Sequence, residues 1–170
     1  MRRAFSLVEL MVSIVILSIM MLFLYKSYGE LNKTNKLYDV EVQKVAKIEK
    51  IKNVLYLDLM LSESITIINQ DNKEDVLFLQ TRNSVHNRIN PYVAYILKEK
   101  KLYRLESHKE FKEYPLAADS EFVADELGDV TIFRVYSSKE PQNSTYLIHT
   151  LFSDKEEILL KVKSLNKKEH

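Results

Sequence analysis

Residues 1–25 read MRRAFSLVELMVSIVILSIMMLFLY and decide the fold of this 170-residue chain. Arg2 and Arg3 precede an apolar run, residues 5–25, that is interrupted only by Glu9 and three serines. A helix over residues 5–25 is about 31 Å long at about 1.5 Å per residue, which matches a hydrocarbon core of about 30 Å. We therefore predict a membrane-spanning helix whose N-terminus the two arginines hold in the cytoplasm.

Glu9 is the unusual residue of this run, because an ionised side chain in hydrocarbon is costly and marks a functional contact. Phe5 and Glu9 are four residues apart and share one helix face. A secretory signal peptide has a shorter apolar region, and a small-x-small cleavage site follows it. Here KSYGE follows at residues 26–30. An uncleaved signal anchor would explain the length and the arginines, but it gives Glu9 no role.

The stretch AFSLVEL at residues 4–10, followed by the apolar run, resembles the prepilin N-terminus of type IV pilins and type II secretion pseudopilins. The resemblance implies that a membrane peptidase cuts between Ala4 and Phe5 and methylates the new amine of Phe5. It also implies that Glu9, the fifth residue of the mature chain, contacts the Phe5 amine of an adjacent subunit and sets its register. The alternative is that Glu9 reaches back to the membrane interface.

Two residues depart from the family pattern. Ala4 stands where the family usually has glycine, and we expect slower cleavage because alanine is still small. Lys26 stands where many major pilins have proline, which favours a minor subunit. The helix end with its Asp58-Leu59 pair resembles J-type minor pseudopilins and the related W-type pilus proteins. A looser resemblance links the segments 92–106 and 123–136 to the C-terminal layout of J-type pseudopilins.

The family resemblance also implies partners and a location. The partners are prepilin peptidase, other pilin or pseudopilin subunits, an inner-membrane assembly platform and membrane lipid. The chain would be a single-pass protein of the bacterial inner membrane with a periplasmic C-terminal domain, and it would then enter a pilus or pseudopilus. Secretion, twitching pili and DNA uptake all use such subunits. The rival hypothesis is a single-pass, membrane-anchored periplasmic receptor or binding protein without a filament role.

After the apolar run we predict that the helix continues as an amphipathic segment over residues 26–64. Apolar residues recur there at spacings of three and four; they are Val45, Ile48, Ile51, Leu55 and Leu59. This stripe would pack on a soluble domain. The alternative is two helices hinged at Gly29. We expect Asp58, the odd residue near this stripe, to face solvent or to cap backbone at the domain junction.

Beyond this helix the pattern changes to short strands. Polar turns separate apolar segments in three predicted hairpins; the strand segments are 64–68 with 76–80, 92–97 with 102–106, and 146–152 with 157–163, and one more strand is predicted at 129–136. We therefore predict an α+β fold with an antiparallel sheet. The predicted organisation is a leader at 1–4, a membrane or filament-core helix at 5–25, an amphipathic helix at 26–64, a β domain at 65–165 and a tail at 166–170.

Composition excludes several functional classes. Loss of Arg2 and Arg3 reduces 25 basic residues to 23, against 24 acidic residues, so no broad basic field favours nucleic acid. The chain has no cysteine and only two glycines, which excludes disulfides and a Gly-rich phosphate loop. The four histidines lie far apart, and Asp71, Glu74 and Asp75 are expected to form a solvated hairpin tip. We predict no catalytic, cofactor or metal site.

Overall fold

The computed structural model describes residues 6–70, 74–117, 120–138 and 145–165. The chain divides into two compact units, residues up to 48 and residues from 49 onward. In the described part, one α-helix is followed by seven β-strands. They are α1 (Leu7–Met60), β1 (Ser62–Ile68), β2 (Val76–Thr81), β3 (Tyr92–Lys98), β4 (Lys101–Ser107), β5 (Val123–Ser137), β6 (Thr145–Phe152) and β7 (Glu157–Lys163). The predicted α+β class is confirmed.

The helix α1 runs through Gly29 without a break, so the alternative of two helices hinged there is wrong. Its apolar side chains from Leu7 to Tyr25 are exposed. Among the described residues, α1 is the one helix long and apolar enough to cross a membrane, judged by length and composition. The predicted leader at 1–4 and tail at 166–170 lie outside the described residues.

The helix ends at Met60, which is earlier than the predicted end at residue 64. The cause is pairing with β2, because Ser62 is already the register partner of Thr81. The Ser62 hydroxyl also donates to the Leu59 carbonyl over 2.6 Å, which closes the last turn. Ile51, Leu55 and Leu59 of the predicted stripe are buried, whereas Val45 is 53% exposed.

The strands follow their chain order in one sheet, and each neighbouring pair is antiparallel. All three predicted hairpins are present. The strand β5 begins at Val123, earlier than predicted, and its first half pairs with β4 while its second half pairs with β6. The register shifts where Gly128 lies, and its φ of 152° belongs to a region that side chains with a Cβ rarely adopt.

Both faces of the central strands are buried, which explains the nearly continuous apolar runs of β2 and β3. On one face, Phe111 from the segment after β4 stacks on Phe78 with ring centroids 5.8 Å apart. The cluster there consists of Val76, Phe78, Ala94, Ile96, Leu105 and Phe111. On the other face, Tyr95 stacks on Phe133 at 6.2 Å. This second face carries the charged side chains described below.

The expected solvated hairpin tip of Asp71, Glu74 and Asp75 is wrong for Asp75, which is only 1% exposed. Glu74 is half-buried, and Asp71 lies outside the described residues. The Asp75 carboxylate accepts hydrogen bonds from the Val135 amide at 2.9 Å and from Arg134 Nη1 at 3.2 Å. Its own amide donates to the Phe133 carbonyl at 2.9 Å. Asp75 therefore ties the start of β2 to β5, a contact between segments that are distant in sequence.

Candidate functional site

The first predicted site lies at the start of α1, and the structure gives it a local geometry. The Ser6 amide donates to Glu9 Oε2 at 2.9 Å, and the Glu9 amide donates to Ser6 Oγ at 3.2 Å. This reciprocal pair is a capping box, which satisfies two of the amides that a helix start leaves without partners. The Glu9 carboxylate thus turns back toward the chain's N-terminus.

Of the three predicted site residues, the structure describes Glu9, while Ala4 and Phe5 lie outside the described residues. Sequence reasoning missed Ser6, although the pattern Ser-x-x-Glu before an apolar run is a known helix-start signature. Ser13 donates from its hydroxyl to the Glu9 carbonyl at 2.8 Å, which satisfies a second polar side chain within the apolar run. The polar groups here are therefore partnered within one helix.

The second site is a buried ionic cluster that we define as Asp58, Tyr95, Arg104 and Glu106. Arg104 is 1% exposed and the other three are fully buried. Arg104 binds Asp58 through two bonds, from Nε to Oδ2 at 2.8 Å and from Nη2 to Oδ1 at 3.2 Å. Its Nη1 donates to Glu106 Oε2 at 2.6 Å. The Tyr95 hydroxyl donates to Asp58 Oδ2 at 2.6 Å.

The strand register brings this cluster together. Arg104 and Glu106 are two residues apart on β4, so their side chains leave the same face. Tyr95 of β3 is the register partner of Arg104 and shares that face. Asp58 comes from the last turns of α1. The expectation that Asp58 faces solvent or caps backbone is therefore wrong: it is an ion-pair partner inside the domain.

The cluster also fixes the loop that follows β2. The carboxylates of Asp58 and Glu106 have more acceptor sites than the guanidinium of Arg104 fills. Neutral donors from the loop bind at the remaining sites. The Asn83 amide group donates to Asp58 Oδ1 at 2.7 Å, while Ser84 Oγ and the Val85 amide donate to the two oxygens of Glu106 at 2.6 and 3.1 Å. Buried charges whose hydrogen bonds are all made hold their neighbours in one arrangement.

The protonation equilibria agree with these contacts. Burial alone would lower the pKa of Arg104, but the bonds and the charge of Asp58 outweigh it and raise the pKa. Burial and the nearby Asp58 charge raise the pKa of Tyr95 well above its ordinary value. Burial opposes ionisation of Glu106, yet the hydrogen bonds from Ser84 and Arg104 bring the pKa of Glu106 below its ordinary value. The cluster therefore keeps a cationic arginine, an ionised Glu106 and a neutral tyrosine near neutral pH.

A separate cavity of about 550 Å³ lies beside residues 107–113. Lysines and glutamates both line it, among them Lys109, Lys112, Glu110 and Glu113, so it favours neither sign of ligand charge. Among the residues that the structure describes, no group of three or more His, Asp or Glu side chains could hold a metal ion. The geometry thus directs attention to the helix start and to the ionic cluster.

Comparison with known proteins adds one finding. The family model of the prokaryotic N-terminal methylation motif matches residues 1–25. No match was found among the curated proteins or among the solved structures. The motif supports a type IV pilin-like protein that prepilin peptidase processes and that assembles with other pilins, and it indicates a structural filament subunit instead of an enzyme family. The apolar start of α1 fits a membrane-anchored protein of this kind.

We predict that Arg104→Met destabilises the domain by about 3–5 kcal/mol, because it leaves the two buried carboxylates without their cation. The matched control is Arg82→Met. Arg82 pairs with Glu63 at the surface and has a side chain that is 59% exposed, so its loss should cost less than about 1 kcal/mol. Urea unfolding of the detergent-solubilised chain, followed by tyrosine fluorescence, measures both. Equal losses in the two variants would contradict the prediction.

The pKa of Glu106 predicts a pH dependence of stability. Because the folded pKa lies below the ordinary value of 4.5, Glu106 stabilises the fold fully above that value, and the stabilisation is lost as pH falls through the folded pKa. We expect Glu106→Gln to flatten the fall in the free energy of unfolding between about pH 6 and about pH 3. Glu110→Gln, at an exposed position, should leave that fall unchanged. A wild-type slope in Glu106→Gln would refute the assignment.

Proposed function

We propose that this chain is a minor pilin or pseudopilin subunit. Prepilin peptidase would cut it between Ala4 and Phe5 and methylate the Phe5 amine, and the mature chain would enter a type II secretion pseudopilus or a type IV pilus-like filament. The observation that carries this proposal is the methylation motif at residues 1–25, which includes the apolar start of α1. Its place would be the tip or priming complex, which the Lys26 position and the J-type and W-type resemblance favour.

The exposed apolar surface of α1 supports insertion before assembly. Side chains from Leu7 to Tyr25 cover every face of the helix and are exposed in the single chain. Such a surface is stable in hydrocarbon or among other apolar helices, but not in water. We propose that residues 5–25 span the inner membrane and later join a filament core, while residues 65–165 face the periplasm.

The capping box gives Glu9 a defined role in this proposal. The Ser6 amide uses one of the carboxylate's acceptor sites, and a carboxylate has about four such sites. A cationic Phe5 amine from a neighbouring subunit could bind beside that hydrogen bond. The pair would satisfy two charges that are each costly in an apolar medium. Glu9 would thereby fix the register of the incoming subunit.

The proposed partners are prepilin peptidase, the other pilin or pseudopilin subunits, the inner-membrane assembly platform and membrane lipid. The β domain would act through its surface, held in shape by the ionic cluster. No cofactor and no catalytic step belong to this proposal. A membrane-anchored receptor would share the anchor, but it would need neither the processing at Ala4 nor the pairing of Glu9.

The processing step predicts a defined mass. The mature protein from its native host should lack residues 1–4, start at Phe5 and carry one methyl group on that amine. Intact-mass spectrometry of the membrane fraction, with fragmentation of the N-terminal peptide, measures both changes. A chain that retains Met1 and carries no methyl group on Phe5 would rule out the proposed processing.

The assembly step predicts a selective defect. Glu9→Ala should leave membrane insertion intact, because it removes a charge from an apolar segment, but it should abolish incorporation into the filament by removing the partner of the Phe5 amine. Glu30→Ala removes a carboxylate from the same helix outside the apolar run and serves as the control. Immunoblots of sheared filaments and of membranes measure both. Normal incorporation of Glu9→Ala would overturn the pairing role.

A further inference from the structure

The segment of α1 beyond the apolar run carries a regular row of residues. Their spacing alternates strictly between three and four. We call this row the heptad seam, and its members are Tyr28, Leu31, Asn35, Tyr38, Val42 and Val45. The five apolar members are each more than half exposed, and Asn35 is exposed as well. A mean spacing of 3.5 residues keeps such a row on one side of a helix, as in a coiled coil.

The heptad seam differs in composition from the other positions of the same helix segment. Most other positions of the same segment are polar or charged, among them Glu30, Lys33, Lys36 and Lys44, and the apolar exceptions are Leu37 and Val40. The three-four spacing also continues backward through the apolar run. Its members there are Leu7, Leu10, Ile14, Leu17, Met21 and Leu24. That half is apolar on every side, so residues 28–45 are the part that defines a partner-binding face.

We propose that the heptad seam binds the same seam of a second copy of this chain, parallel and in register, before the chain leaves the membrane. The inference rests on the proposed function, because it takes α1 as a membrane anchor. Copies inserted in one direction are parallel, and apolar runs of equal length lie at equal depth. The membrane therefore brings each seam residue level with its own counterpart in the second copy.

Asn35 favours a second copy of this chain, rather than another molecule, as the partner of the heptad seam. In a parallel two-stranded coiled coil, one asparagine at a seam position pairs with its counterpart and specifies register and strand number. Opposite an apolar side chain, the buried amide would lack a hydrogen-bond partner, which costs about 1–3 kcal/mol. A purely apolar helix or a lipid chain is thus a poor partner at this height, whereas an in-register copy supplies the matching amide.

The residues beside the seam are compatible with this pairing. In a parallel coiled coil, the residue just before every second seam residue, here the one before Asn35 or Val42, faces the residue five positions later in the partner helix. Thr34 then faces Asp39, and Glu41 faces Ala46. Neither contact joins two like charges, so electrostatic repulsion does not oppose the symmetric pair.

Single-cysteine cross-linking tests the proposal, because the chain contains no cysteine. Val42→Cys and Val45→Cys place thiols on the seam, whereas Lys33→Cys, Val40→Cys and Lys47→Cys place them on the opposite side. Full-length protein in membranes, expressed as two differently tagged copies, is oxidised mildly. We expect mixed-tag dimers at the seam positions, at least about fivefold above the controls, because a disulfide needs Cβ atoms about 4 Å apart.

The register is tested in the Val45→Cys background. Asn35→Asp would oppose two carboxylates in the seam and should lower the dimer yield about fivefold, while Gln43→Glu makes the same chemical change off the seam and should not. The inference would be overturned by equal cross-linking at the seam and control positions, or by adducts with other proteins only. It would also be overturned if Asn35→Asp gave the same dimer yield as Gln43→Glu. Such results in a processed membrane protein leave the proposed function intact, whereas absence from membranes overturns both.

Discussion

The guanidinium of Arg104 is the contact on which the order of the β domain depends. Arg104 lies on β4 and joins this strand to the end of α1 through Asp58, and it also binds Glu106 of the same strand. Both carboxylates in turn bind the loop after β2. Buried ion pairs add little net stability, because desolvation offsets much of the attraction. These ion pairs instead raise the free energy of alternative arrangements, because a shifted helix end or strand would leave a charge buried and unpaired.

Two single acids of α1 show contrasting solutions to one problem. Glu9 and Asp58 both lie among apolar residues, where an ionised carboxylate is costly. Glu9 is satisfied within its own helix by Ser6 and keeps acceptor sites that a neighbour can use. Asp58 is fully buried, with both oxygens bound by Arg104 and further bonds from Tyr95 and Asn83. We infer that Glu9 serves contacts between chains, whereas Asp58 serves the fold.

Much of the architecture could be predicted from local patterns. The hairpins follow from polar turns between short apolar segments, because both strands of a hairpin lie close in sequence. The apolar run and the continuation of α1 follow from composition and spacing. The predicted helix end differed from Met60 because strand pairing with Thr81 competes with the helix, and that pairing involves residues that are distant in sequence. The capping box of Ser6 and Glu9 is also a local pattern, Ser-x-x-Glu before an apolar run, although it was not among the predictions.

The sequence by itself determined the apolar run, the methylation motif, the order of helix and strands, and the heptad seam, since each depends on residues that are close together in the sequence. The tertiary structure alone decided the burial and the partners of Asp58 and Asp75, which the sequence predicts to be surface carboxylates. Asp58 meets Arg104 across 46 positions, and Asp75 meets Val135 across 60. No local pattern encodes such meetings, because sheet register and packing choose the partner of a buried charge.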